Sequence, residues 1–292
     1  MDVCVFGAGS LGSLVGGLLA DDHDVHLVGR EPHVGVVREE GLRLTGAFDR
    51  RVYPAASTTP PADPDLALVT VKSFDTPQAA RALGAVSPGT AVSLQNGMGN
   101  EATLATRLDA PVLAGTCTYG ARLSEPGVVE CTGAGEVAVG PRTGGHSDPA
   151  DRVGDVLAAG LATTVAGDMP RRLWGKLAVN AGINAVTALA RVPNGAVVDG
   201  PASGVATDAA AETAQVAANV GFEIDEAVDR TREVAAATAE NTASMHQDIR
   251  AGRPTEIDAI NGYVVETADR PVPVNTTLTG LVRAWERGQG HR

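Results

Sequence analysis

Three polar side chains recur at every fourth position between Arg171 and Leu189: Lys176, Asn180 and Asn184. On a helix this spacing places them on one face. The apolar residues of the same stretch, Leu173, Leu177, Val179, Ile183, Val186 and Leu189, cover the rest of the surface. A helix apolar nearly all round is expected to be buried, and a buried helix rarely carries a lysine and two amides without partners. Gly175 and Gly182 interrupt it, each costing about 1 kcal/mol relative to alanine. Their presence predicts close approach by a ligand or another backbone.

Composition singles out the lysine. The chain has 21 arginines and only two lysines, Lys72 and Lys176. Lysine offers a compact ammonium that can give up a proton near neutral pH where its surroundings lower its pKa, which arginine cannot do.

The elements that must position these groups begin at the N-terminus. Val3-Cys4-Val5-Phe6 reads as a buried strand, Gly7-Ala8-Gly9-Ser10-Leu11-Gly12 follows, and Ser13–Ala20 is an apolar helical segment. Strand, G-x-G-x-x-G and helix in this order form the dinucleotide fingerprint. Gly7 permits the tight turn, Gly9 lets the backbone approach a pyrophosphate and Gly12 allows close helix–strand packing, while the helix N-terminus offers N–H groups to the phosphates. The second strand, Asp24–Val28, ends in Gly29-Arg30. An arginine there suits a 2′-phosphate, so NADP(H) is the expected cofactor.

Gly41–Thr45 with Arg51–Pro54 reads as a hairpin or a pair of short strands, and Thr58–Pro64 as a proline-rich loop. Leu66–Val71 is a continuous apolar run ending at Lys72, and Thr90–Leu94 is a strand ending in Gln95-Asn96-Gly97-Met98-Gly99-Asn100. Ligands of open α/β sheets lie beyond such strand ends. Strands at Val112–Thr116, Glu136–Val139 and Thr163–Ala166, an exposed loop at Gly140–Ala150 and a helix at Asp151–Leu161 complete a first domain, 1–167. Residues 168–292 are expected to be all helical: the Lys176 helix, then Pro201–Val220, Glu226–Ala251, Thr255–Ala268 and Thr276–Arg287. Ser244 and Asp248 share a face of the third, and Thr255 with Asp258 forms a capping box that puts Glu256 in the first turn of the fourth.

Net charge −12 argues against a nucleic-acid partner. No apolar run spans a bilayer, and Cys4, Cys117 and Cys131 read as free thiols, so a cytoplasmic location is expected. Neither the cysteines nor the six histidines have metal-ligand spacing, and no metal is expected. Many acids with almost no lysine suggest adaptation to a salty cytoplasm.

Five motifs together resemble the 2-dehydropantoate 2-reductase (ketopantoate reductase) family: GAGSLG, VKSFDT, QNGMGN, LWGKLAVNAGINAVTAL and SMHQDIRAGRPTEIDAINGYV. The resemblance covers nearly the whole chain. It implies an α/β fold, with an N-terminal Rossmann domain, an all-helical C-terminal domain of the 6-phosphogluconate dehydrogenase type and a site in the cleft between them. The implied reaction is NADPH-dependent reduction of 2-dehydropantoate to (R)-pantoate, on the route to pantothenate and coenzyme A. Lys176 would be the general acid. Asn96, Asn180, Asn184, Asn194 and Ser244 match substrate-contacting positions. Gly7, Ala8, Gly9, Ser10, Leu11, Gly12, Arg30, Lys72, Asn96, Ala121 (through its backbone) and Glu256 match cofactor-contacting ones. The chain is short for the family around residues 45–65, and Thr118-Tyr119-Gly120 replaces the usual threonine or alanine neighbours before Ala121. The oligomer implied is a monomer or homodimer. Two other readings are a reductase of another small branched 2-keto acid and a non-catalytic NADP(H)-binding sensor.

Overall fold

In the computed structural model, which describes residues 1–292, the first half forms strands β1 (Asp2–Phe6), β2 (Asp24–Val28), β3 (Leu42–Gly46), β4 (Arg50–Val52), β5 (Ala55–Ser57), β6 (Leu66–Val69), β7 (Thr90–Ser93), β8 (Val112–Cys117), β9 (Gly120–Glu125), β10 (Val128–Gly133), β11 (Val137–Pro141) and β12 (Thr163–Val165). The helices between them are α1 (Ser10–Leu19), α2 (His33–Glu40), α3 (Thr76–Gly84), α4 (Asn100–Ala105) and α5 (Asp148–Ala158). The chain parts into two compact units, Met1–Gln95 with Gly99–Met169, and Asn96–Met98 with Pro170–Arg292.

The first unit holds a sheet ordered β12-β11-β8-β7-β6-β1-β2-β5, parallel except where β8 meets β11. β2 and β5 lie to one side of β1, and β6, β7 and β8 to the other. This is the doubly wound order, with its switch point at β1. Alternate residues serve two cores: Val5 and Leu68 pack with Leu14, Leu18 and Leu27, whereas Cys4, Ala67 and Val69 pack with Ala79, Leu83 and Leu104. Both faces being covered explains why β6 reads as an unbroken apolar run. That strand stops at Val69 rather than Val71, and α5 starts at Asp148, inside the expected loop, because Ser147 Oγ accepts from the Ala150 N–H. The short 45–65 stretch still supplies the outermost strand of this half, three-residue β5. All three cysteines are buried and unbridged, and burial pushes the Cys4 thiol up to about 12.

β3 and β4 form the expected hairpin, inside a second sheet ordered β4-β3-β10-β9. β9 and β10 have no counterpart among the expected strands. β9 carries little apolar alternation for the eye to find, since none of its six residues is fully buried.

The second unit is helical: α6 (Met169–Ala190), α7 (Pro201–Asn219), α8 (Ala227–Ala237), α9 (Ser244–Arg250), a π-helical turn (Asp258–Gly262), α10 (Tyr263–Thr267) and α11 (Pro273–Gly288). The expected Glu226–Ala251 helix is therefore two. Its carbonyls break rank because those of Ala239 and Asn241 accept from the Gly195 and Asn194 N–H groups. The expected Thr255–Ala268 helix begins only at Asp258, and the capping box does not form. Thr255 instead donates its hydroxyl and its N–H to Glu286 (2.7 and 2.8 Å), while Asp258 accepts from Arg283 (2.7 Å) and Arg292. α11 starts three residues early, at Pro273, where the Glu212 carboxylate takes the Val274 and Asn275 N–H groups. No helix is long and apolar enough to cross a membrane.

Candidate active site

The loop after β1 has a shape that only glycine permits at two points. Gly7 has φ +120°, and a Cβ there would lie 2.6 Å from the Val71 nitrogen. A Cβ on Gly12 would lie 2.3 Å from the Gly7 carbonyl oxygen and 2.5 Å from Thr70 Oγ1. Thr70 Oγ1 locks the turn by donating to that same carbonyl at 2.9 Å. Gly9 differs. It is exposed, and its nearest neighbour to a Cβ is 3.9 Å away. Gly9 is also the N-cap of α1 and contributes no side-chain cap, so the first N–H groups of the helix lack a side-chain acceptor. Open space in front of an uncapped helix N-terminus suits a phosphate, and this cradle fits the dinucleotide that the fingerprint implies.

Ser10 accepts the Leu123 N–H at 3.0 Å. That bond identifies the outer edge of β9 as the one facing α1. Ala121 lies two residues along the same strand, so its backbone groups point to the same open edge. Arg30 follows β2, with its side chain 87% exposed and 3.1 Å from Asp75. Half-buried Lys72 caps the short 3₁₀ turn Ser73–Asp75. Behind it, buried Gln95 donates to the Val71 carbonyl (3.0 Å) and to Thr76 Oγ1 (2.7 Å), and Thr76 donates to Asn100 (2.9 Å). This triad fixes the segments on either side of Lys72. Neither Gln95 nor Asp75 was a sequence candidate, although both lie inside the motifs quoted.

In the second unit, α6 sets out Lys176, Asn180 and Asn184 along about 12 Å of one face. Lys176 and Asn180 are half-buried and Asn184 is 7% exposed, while Leu177, Ala178, Ala181, Ile183 and Ala185 are buried. Gly182 matches its expected role: a Cβ would lie 2.8 Å from the Ala206 carbonyl of α7. Gly175 does not, as far as backbone is concerned, since nothing lies within 4 Å of its Cβ position.

Asn96, half-buried, belongs to the short segment that packs with this unit. Met98 N–H donates to the Ala259 carbonyl (3.0 Å), and Gly97, φ +79°, lies so close to Ala259 that a Cβ would come within 2.5 Å. Asn194 is 8% exposed. Its Nδ2 donates to Thr238 Oγ1 at 3.0 Å, and its buried Oδ1 has no partner. Ser244 opens α9, half-buried, and Asp248 one turn on takes both Arg253 donors (3.0 and 3.1 Å). Glu256 is 5% exposed and precedes the π-helical turn rather than lying in a first helical turn. Burial raises the Asp258 pKa, but the hydrogen bonds and charges of Arg292 and Arg283 outweigh it and hold the carboxyl below its ordinary value.

His146, Asp148 and Asp151, which the spacing of the sequence did not flag, meet at the start of α5 with the imidazole Nε2 3.4–3.7 Å from each carboxylate. They lie at the surface.

A dinucleotide cradle in one unit and a lysine–amide stripe in the other define a nicotinamide-type oxidoreductase architecture, and comparison with known proteins gives the family. Residues 3–144 match the family described as ketopantoate reductase PanE/ApbA, and residues 168–286 match its C-terminal part. The chain is 47% identical to the 2-dehydropantoate 2-reductase of Halobacterium salinarum, with 98% of this chain and 99% of that one covered. It is 42% identical to that of Archaeoglobus fulgidus, covering 98% of each. A PanE/ApbA family ketopantoate reductase structure from Ralstonia eutropha superposes with a TM-score of 0.92 at 33% identity over 100% of both chains. The chain belongs to the ketopantoate reductase family.

Proposed function

We propose that this chain reduces 2-dehydropantoate to (R)-pantoate with NADPH, residues 1–167 holding the cofactor and residues 168–292 the substrate. The α6 stripe carries the assignment: one of only two lysines in the chain stands half-buried beside two amides on a helix whose other faces are apolar and buried. The names of the relatives support the substrate.

Gly7–Gly12 would cradle the pyrophosphate, Arg30 the 2′-phosphate, and Lys72, Asn96, the Ala121 backbone and Glu256 the remainder of the cofactor. The nicotinamide, when bound, supplies the hydride. Lys176 aims an ammonium at the keto oxygen, where negative charge grows in the transition state, and so stabilises that state more than the ground state. It then gives its proton to the same oxygen, a general-acid step worth roughly 10²- to 10⁴-fold. Asn180, Asn184, Ser244 and Asn194, with Asn96, hold the substrate's carboxylate and hydroxyl.

The test is loss of NADPH absorbance with 2-dehydropantoate, with NADH and another branched 2-keto acid as comparators. Rapid oxidation of NADPH by 2-dehydropantoate alone is expected. Tight NADPH binding without turnover of any keto acid would replace the enzyme with a sensor.

A further inference from the structure

Arg30 and Asp75 meet across the end of β1. Phe6, the last residue of that strand, is in register with Val28 of β2 on one side and Val69 of β6 on the other. Arg30 stands two residues beyond the first and Asp75 six beyond the second, so their ion pair, Nη2 to Oδ2 3.1 Å, bridges the two strand ends that flank the glycine loop. Asp75 is the N-cap of α3, yet its side chain makes no capping bond there. An aspartate at an N-cap ordinarily takes a helix N–H; this carboxylate is committed to the guanidinium instead.

We propose that Asp75 is a specificity-determining residue that competes with the adenosine 2′-phosphate for Arg30. The proposal rests on Arg30 being the 2′-phosphate contact. A phosphorylated ribose must share the guanidinium with Asp75 and bring a dianion up to its carboxylate. An unphosphorylated ribose can donate its 2′-hydroxyl to Asp75 and leave the pair closed. Asp75 therefore narrows the preference for NADPH over NADH that Arg30 alone would set. An exposed pair carries a modest effect, about three- to fivefold, and in molar salt, where the Debye length is about 3 Å, it shrinks further.

The experiment compares NADPH and NADH dissociation constants, and kcat/KM with each, for the wild type, Asp75→Asn and Arg30→Ala in low and molar KCl. In Asp75→Asn the NADPH/NADH affinity ratio should rise about three- to fivefold at low salt, NADPH binding tighter and NADH weaker; in Arg30→Ala it should fall. A ratio that is unchanged or lower in Asp75→Asn, while Arg30→Ala still lowers it, overturns the proposal and leaves Asp75 as an anchor for Arg30. A ratio unmoved by Arg30→Ala refutes the assignment of Arg30 itself, and the competition with it.

Discussion

Asn261 Nδ2 donates to the carbonyl oxygen of Ala181 at 3.1 Å, tying the π-helical turn to α6 between Asn180 and Asn184. The same amide donates to Asn275 Oδ1 (2.9 Å), and Asn275 in turn donates to the Ala209 carbonyl (3.0 Å) and to Glu212 (2.8 Å). Asn261 and Asn275 are both wholly buried. The face that carries the proposed chemistry is thus held by a polar chain reaching α7 and the start of α11.

Removing the first link should be costly. Asn261→Ala leaves the Asn275 Oδ1 without its donor in the interior and opens a void, together worth about 2–4 kcal/mol. Urea unfolding should show that loss, and any remaining folded protein should have a raised KM for the keto acid. A variant as stable as the wild type would mean that the network does not bear on α6.

Lys176→Ala should bind NADPH within about twofold of the wild type and lose roughly 10²- to 10⁴-fold in kcat. Lys176→Arg separates charge from proton supply, because a guanidinium keeps its proton. It should recover little of the rate. Near-normal turnover in either variant would remove the general-acid role, and loss of NADPH binding would make Lys176 a cofactor ligand instead.

The second and third glycines of the loop should respond in opposite ways. Gly12→Ala drives a methyl into the Gly7 carbonyl and Thr70, and backbone cannot give way cheaply; its Tm should drop by several degrees. Gly9→Ala meets nothing nearer than 3.9 Å and should melt as the wild type does, yet bind NADPH about tenfold or more weakly because the methyl occupies the ligand's space. If Gly9→Ala binds NADPH normally, the pyrophosphate does not lie over Gly9.

The parts of the fold legible in the chain were those with a local cause. β1 and β6 are buried on both faces and read as apolar runs, and the stripe on α6 follows from its period. The misreadings came from distant partners. The start of α11 is set by Glu212 on α7, and the break between α8 and α9 by Asn194 and Gly195. β9 exists because β10 pairs with it, with few buried side chains of its own to announce it. In the candidate site, Lys176, Asn180, Asn184 and the glycine loop stood out by type and spacing, whereas the roles of Asn194, Ser244, Ala121 and Glu256 came only with the family resemblance. Asp75 and Asn261 lie in the same motifs, but their significance is geometric: an aspartate is unremarkable until the arginine opposite it, 45 residues away in sequence, is in view.

The net charge of −12 should make stability rise with salt. Self-repulsion among exposed acids acts over about 30 Å at 0.01 M ionic strength and only about 3 Å at 1 M. Tm should climb by about 5 °C or more from dilute buffer to molar KCl. KCl is the salt to use, since sulfate would strengthen apolar burial by itself. Equal stability and activity in both buffers would end the reading of the acidic surface as salt adaptation.

Acid should loosen the first unit through His33. The imidazole is 6% exposed, and the Gly127 N–H donates to its Nδ1 at 3.0 Å, so the proton is on Nε2, which donates to Ser13 Oγ at 2.9 Å. Protonation at Nδ1 would set one donor against another. Burial accordingly lowers the pKa below its ordinary 6.5. The unfolded chain then takes up the proton first as pH falls, so this contribution is whole above about pH 6.5 and is lost from there down to the folded-state value. His26 and His246 are shifted the same way by burial, whereas buried Glu101, shifted upward, opposes them by favouring the folded state as pH falls. The share of His33 is isolated by comparing unfolding free energies of the wild type and His33→Gln between about pH 7.5 and 5.5. The wild type should lose more stability over that range than the variant. Equal slopes would place the proton elsewhere in the protein.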